Sequence, residues 1–420
     1  MRSVGRCLAA ALLASVVAVG GAGALAKTKP KPNPGPIVKA TIRTGLQPCG
    51  ELEAAGAVWI STYLSGTLER INPRTNKVTG KVSVGRQPCG LAYGFDSVWI
   101  NGFGTNSVER VDPRTLKLTA HIPSGQAPFD VLTAAGSVWT TNNGDSNVSR
   151  IDPATNRVTS TVAVGAPTAG LALAGGEVWV GSTGTSEDVF RIDPATEGVT
   201  RVPVGERGPA WFASRGDELW VATLSNNVLR IDPQTNRVTA RVRVRLGPKD
   251  GVVDSRGLVW VPNLNDNSVS IIDAATAALV ATIRVGETPF VLNDGFGDIW
   301  SGSYGAGDVR RLRAPRIVAA ALAEQNASGQ SGTVRLIAAS RTMTLVAVTL
   351  ANAPETAQIH LHGGRCGAFT GLPFGAWTLR AGRGAKLLAA PISKLANGRY
   401  ALDVHRAAGD ATYVACANLR

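Results

Sequence analysis

The chain holds only two methionines in 420 residues, and long apolar runs at helical spacing are scarce, which excludes an all-helical protein. Its 48 glycines and 23 prolines lack any Gly-X-Y period, so they mark turns and not collagen. Charged residues make up 17% against 44% apolar ones, too little charge and too much hydrophobicity for a disordered polymer. Beyond the N-terminal segment no stretch reaches the roughly 18 apolar residues that a membrane-spanning helix needs. Also missing is a basic stripe interleaved with stacking aromatics, so the formal charge of +13 does not read as a nucleic-acid surface.

That charge sits mostly at the ends. Arg2 and Arg6 precede an apolar run from Leu8 to Val19 and the small residues Ala24-Leu25-Ala26, the layout of a signal peptide over 1–26 with export of the remainder. Lys27, Lys29 and Lys31 fall in a Lys/Pro linker over 27–36. Such a run favours extended polyproline II and would hold the body off an anionic cell envelope by electrostatic contact. Residues 317–420 carry ten Lys or Arg against four Asp or Glu, which leaves 37–316 close to neutral.

What the chain does have is a repeat. Trp59, Trp99, Trp139, Trp179, Trp220, Trp260 and Trp300 recur every 40 or 41 residues, each after Val, Leu or Ile in a strand-like pair. One unit reads as four short strands separated by Gly, Asn, Asp and Pro. Four strands per ~40 residues is a propeller blade, so 37–316 is expected to form an all-β, seven-bladed β-propeller. The seventh unit lacks a fourth strand. Ile37–Gly45 (IVKATIRTG) has the pattern of the fourth strand Lys77–Gly85 (KVTGKVSVG) and would close the ring from the N-terminus.

The stretch Asn147–Asn156 (NVSRIDPATN), with its V-x-R-I-D-P-x-T-N core, resembles YVTN/YncE-type propeller repeats and, more distantly, the streptogramin lyases. The resemblance covers 37–316 and implies the fold, for families that include both binding scaffolds and enzymes. In the lyases it implies a His and acidic metal-binding residues in the funnel. This propeller has a single His, His121, placed in a fourth strand, so lyase chemistry has poor material here.

A ligand site in a pseudo-symmetric ring must break the symmetry. After the recurring Pro, the fourth-to-first-strand loops present Cys49, Cys89, Phe129, Thr168, Ala210, Lys249 and Phe290, each followed by a variable residue. Asp130, Trp211, Lys249 and Asp250 stand out there, although the two Asp residues lie three blades apart in ring order. Four residues beyond the blade Trp, a second loop set supplies Tyr63, Phe103 and Tyr304 in adjacent blades. Together these seven residues make a candidate funnel site for a peptide, a glycan or a small hydrophobic ligand. Cys49 and Cys89, in equivalent loops of neighbouring blades, are expected to pair in an exported chain.

After Arg316 the 40-residue register ends. Residues 317–332 read as an Ala-rich, then Gly/Ser/Gln-rich linker, and alternating strands over 333–420 suggest a small antiparallel β-sandwich. Alternation puts His360 and His362 on one strand face. Ile359–Cys366 (IHLHGGRC), Leu402–His405 (LDVH) and Tyr413–Cys416 (YVAC) resemble the copper/zinc superoxide dismutase sandwich and the related chordin-type domains. The resemblance implies copper ligation by His360, His362 and His405 and a Cys366–Cys416 disulfide. The loop Gly367–Ala376 lacks the His and Asp of the family's zinc site. The whole reads as an exported binding or scaffold protein that meets its ligand or an envelope protein. The alternatives are lyase chemistry in the propeller and copper-dependent superoxide chemistry in the sandwich.

Overall fold

A computed structural model of the protein describes residues 37–420 apart from 408, so the expected signal peptide and Lys/Pro linker lie outside the described residues. Seven four-stranded antiparallel sheets form the propeller, and the seventh pairs Val38–Arg43 with Asp308–Leu312 as its outer strand. The N-terminal strand therefore closes the ring, as its sequence pattern predicts. Alternation explains the pairing: Ile42 is buried with Trp300, Ile60 and Val309, while Thr41 and Arg43 face outward.

All seven repeat tryptophans are completely buried between sheets. In five of them the indole N–H donates to the carbonyl five residues upstream, as Trp59 does to Ala54 and Trp139 to Ala134. This bond ties the second strand to its own tight turn and lets a polar edge be buried without cost. The recurring Arg bridges blades: the Nη1 groups of Arg70, Arg110 and Arg150 donate to the carbonyls of Pro113, Pro153 and Pro194 in the next blade. The Asp before Pro accepts backbone N–H groups of its own turn, as Asp112 does from Arg114, and these bonds hold the Asp112, Asp152, Asp193 and Asp232 carboxyls below the usual range.

The C-terminal unit is all-β as expected, but its sheet is closed. Ile317–Glu324, Gly332–Ala338, Thr344–Leu350, Arg383–Leu388, Ala376–Arg380, Thr356–Arg365, Tyr400–His405 and Tyr413–Leu419 pair in that order around a barrel, and the last strand returns to the first. Half of the segment read as a linker, Ile317–Glu324, is thus a barrel strand; its run of small alanines hides the alternation that a strand normally shows. Ile359, Leu361, Leu402 and Val404 point into the barrel core, together with Val334, Leu336, Val346 and Val348.

Propeller and barrel share a second core. The outward residues Ile337, Ala339, Leu345 and Ala347 of the barrel pack on Leu258, Trp260, Ile271 and Ile283 of blade six. Arg335 from the same barrel face pairs with the fully buried Asp273 and donates to the carbonyl of Arg256. The strand Thr344–Leu350, buried on both faces, needs such a cover, and blade six supplies it.

Candidate functional site

The loops between fourth and first strands and those between second and third strands meet at one end of the propeller axis. There Tyr63, Phe103, Phe129, Trp211, Phe290 and Tyr304 form a closed circuit of rings, each centroid 5.0–6.3 Å from the next. The angles between rings run from 39° to 87°, tilted and edge-to-face arrangements that suit the aromatic quadrupole. Four of the predicted residues are members, and Phe129 and Phe290 complete the circuit. Both stand at the loop position that follows the recurring Pro, and their apolar character in that series was the available signal.

Lys249 lies over this circuit, its Nζ 4.9 Å from the Trp211 ring centre and 6.0 Å from that of Phe290, in cation–π range. Burial pulls its ammonium down to about 8. The Cys49–Cys89 disulfide is formed, with Cα atoms 4.8 Å apart, and packs against Tyr63 and Tyr304. It locks blades one and two together behind the rings.

Phe129, Trp211 and Phe290 also line a cavity of about 40 Å³ that contains Glu51, Asp130 and Asp250. The two Asp residues are not kept apart by their three-blade separation, because first strands converge on the axis. Burial raises Asp250 well above the carboxylate range, and the charge of Asp130 adds to it. Asp130 is pushed up to about 6 by burial, against two backbone N–H groups, of Val131 and Leu171, that its oxygens accept. Burial likewise raises Glu51. Asp130 thus ties blade three to blade four, a structural duty, while Asp250 has no such bond.

Around the rings the same face mixes exposed charged residues such as Arg86, Arg207 and Glu287 with exposed leucines. Leu46, Leu64, Leu224 and Leu246, all in these loops, are the large hydrophobic side chains more than half exposed among the described residues. His121, by contrast, stays on an outer strand and pairs with Glu109 at 2.7 Å, so no described histidine faces the funnel.

The second cluster lies on the outer face of the barrel. His360 stands directly opposite Asp403 in the strand pair that closes the barrel, and His362 and His405 flank it on the same face. The Asp403 carboxylate lies 3.2 Å from His405 Nε2, 3.4 Å from His362 Nε2 and 3.9 Å from His360 Nδ1. The tight triple is His360, Asp403 and His405, whose ligand atoms lie within 4.8 Å of one another. His362 stands slightly aside, stacked on Phe369 at 4.5 Å. Asp403 alternates with His405 as His360 does with His362, so the i, i+2 spacing places all four on one face of the strand pair. The loop carrying Phe369 is pinned over this face by the Cys366–Cys416 disulfide and by the Cys366 N–H, which donates to Asn418. Burial, then the neighbouring His405, lowers His360 below the usual imidazole range and leaves it neutral at pH 7.

No protein-family model matches the chain, and no curated protein matches it. Among solved structures it is similar to the hydrazine synthase of Kuenenia stuttgartiensis, with 16% identity over 70% of this chain and 99% of that one, at a TM-score of 0.57. It is also similar to a streptogramin B lyase structure, with 13% identity over 65% of this chain and 97% of that one, again at 0.57. At these identities the likenesses bear on the fold alone, and they agree with the seven-bladed propeller. Fold and sites together define a seven-bladed propeller joined to a closed antiparallel barrel, with one aromatic and one histidine-rich cluster.

Proposed function

We propose that the protein is an exported, non-catalytic binding protein of the cell envelope, and that its funnel holds an apolar side chain of a peptide. The observation that carries this reading is the closed circuit of six rings, set in a face whose rim leucines are exposed. A peptide side chain can enter the circuit while its backbone runs over the rim, and Lys249 offers a donor at the edge. Glycans stack on open aromatic faces, and these rings are tilted against one another. The funnel offers no described histidine, the general base that the resemblance to the lyases implies, which supports binding over lyase chemistry.

The test is a fluorescence titration with a hexapeptide of leucine and phenylalanine, a serine-substituted control and a chito-oligosaccharide, using Trp211 as reporter. Binding by the apolar peptide alone is expected, and Tyr63→Ala and Phe103→Ala should weaken it about tenfold or more, as loss of an aromatic anchor does. Equal affinity in the variants, or binding of the saccharide alone, overturns the reading.

A second reading is favoured by one observation, the convergence of His360, Asp403 and His405 with His362 beside them. Asp403 Oδ1 and His405 Nδ1 are buried without hydrogen-bond partners, so the group suits a borderline divalent ion. We propose that His360, His405 and Asp403, with His362 as a further donor, hold copper, which would supply one-electron chemistry when bound. Metal content after exposure to copper and zinc should be about one copper per chain, lost in His360→Ala/His362→Ala protein. Equal metal in both proteins, or none in either, removes the assignment.

A further inference from the structure

Of the seven residues that follow the recurring Pro, six are uncharged and the one in blade six is Lys249. The first strand of that blade is also interrupted: Pro248 makes an isolated bridge to Asn263, and regular pairing resumes only at Val252–Val253. The Lys249 N–H still donates to the Pro262 carbonyl, which fixes the backbone that carries the side chain to the rings.

An ammonium that leaves water normally gains an anion. Lys249 gains rings instead: Trp211 and Phe290 flank Nζ, and the Tyr63 and Tyr304 phenols farther round the circuit are raised by burial and neutral at pH 7. Glu51, Asp130 and Asp250 line the cavity at the rings, yet no charge offsets the burial of Nζ, which stays near 8. At pH 7 about a tenth of Lys249 is then the neutral amine, against roughly one part in 2,500 for an ordinary lysine. A neutral amine in apolar surroundings is a nucleophile. Lys249, Tyr63, Phe103, Phe129 and Phe290 each keep part of their surface open to solvent, so a small molecule can reach Nζ from the funnel mouth.

We infer that Lys249 is a carbonyl-capture site, whose Nζ forms an imine with an aryl aldehyde that lies against the rings of the circuit. Nζ attacks the carbonyl carbon, a carbon–nitrogen double bond replaces the carbon–oxygen one, and the oxygen leaves as water with both hydrogens of the neutral amine. No oxidant or reductant takes part. The inference shares the funnel with the peptide reading but rests on Lys249 and not on the peptide.

The experiment is reductive trapping. Purified protein is treated at pH 7 with benzaldehyde and cyanoborohydride and digested, and the benzyl groups are located by mass spectrometry. Formaldehyde in place of benzaldehyde measures the accessibility of every amine. Expected is a benzyl group on Lys249, formed about tenfold or more faster than on the exposed Lys77, Lys81 or Lys117. Its rate should rise with a midpoint near pH 8. The α-amino group, which also titrates near ~8, is the reference for an amine of equal basicity in water and should react more slowly, because no rings hold the aldehyde there. Lys249→Arg keeps the cation and should lose the adduct. Phe290→Ala lets water reach Nζ and should slow trapping at pH 7 about tenfold while leaving formaldehyde labelling of Lys77 unchanged. Benzyl groups spread evenly over the exposed lysines, no label on Lys249 with either aldehyde, or an undiminished adduct in Lys249→Arg would each overturn the assignment. Unlabelled Lys249 in protein that still binds the apolar hexapeptide overturns this inference alone, whereas labelled Lys249 in protein that binds no peptide overturns the peptide reading alone.

Discussion

Asp250 shows what convergence on a propeller axis does to a single carboxyl. It faces a cavity of about 40 Å³ with Asp130 across it, and burial together with that neighbouring charge raises its pKa well above the carboxylate range. A raised folded-state pKa means that the folded protein holds the proton more tightly than the unfolded chain. The stability this contributes is complete below the unfolded value of about 3.9 and is lost as pH rises through the folded one. Asp250→Asn keeps the shape and cannot ionise. It should therefore melt close to the wild type at pH 4 and several degrees higher at pH 8. A melting-temperature difference that does not change with pH would show that Asp250 is not held protonated by its surroundings. The sequence placed Asp130 and Asp250 among the singular loop residues but kept them apart, because it counts blades around the ring and not distances across the axis. Phe129 and Phe290 were missed for a related reason: two loop sets that are separate along the chain interdigitate at the funnel.

At the scale of elements, the closing strand Val38–Arg43 carries a prediction of its own. Ile42 is almost fully buried against Trp300, Ile60 and Val309, and Thr41 faces out beside it. Ile42→Ala should cost about 2–5 kcal/mol in urea unfolding, the range for truncating a buried aliphatic side chain, while Thr41→Ala should cost less than about 0.5 kcal/mol. Similar losses for both would mean that the strand is held by backbone pairing alone. Most of this element level was legible: the Trp spacing gave the blades, and matching IVKATIRTG to KVTGKVSVG gave the closure. The strand Ile317–Glu324 was not, because alanines on both faces carry little contrast between inside and outside. The barrel face at Leu345–Val348 carried an unread signal. A strand apolar on both sides, in a sheet otherwise alternating, calls for a second layer outside the barrel.

That second layer is blade six, and it determines how the whole molecule should unfold. Asp273 is fully buried and has the Arg335 guanidinium as its ionic partner across the domain boundary, so removing Arg335 leaves a buried carboxylate with no opposite charge, held by the Thr276 N–H and hydroxyl alone. Breaking a buried pair from one side typically costs about 3–5 kcal/mol. Here the loss falls on the contact between domains and not on either core: the barrel keeps its own interior and the Cys366–Cys416 bond, and the propeller keeps its closed ring. Wild-type protein should therefore melt in one calorimetric transition. Arg335→Ala should separate it into two, with each product retaining β-type circular dichroism until its own step. Arg335→Ala/Asp273→Ala, which removes both charges, should recover part of the coupling because the hydrophobic contact of Ile337 and Leu345 with Ile271 and Trp260 remains. A single transition at the wild-type temperature in Arg335→Ala would assign the docking to that apolar contact alone and make the ion pair a bystander.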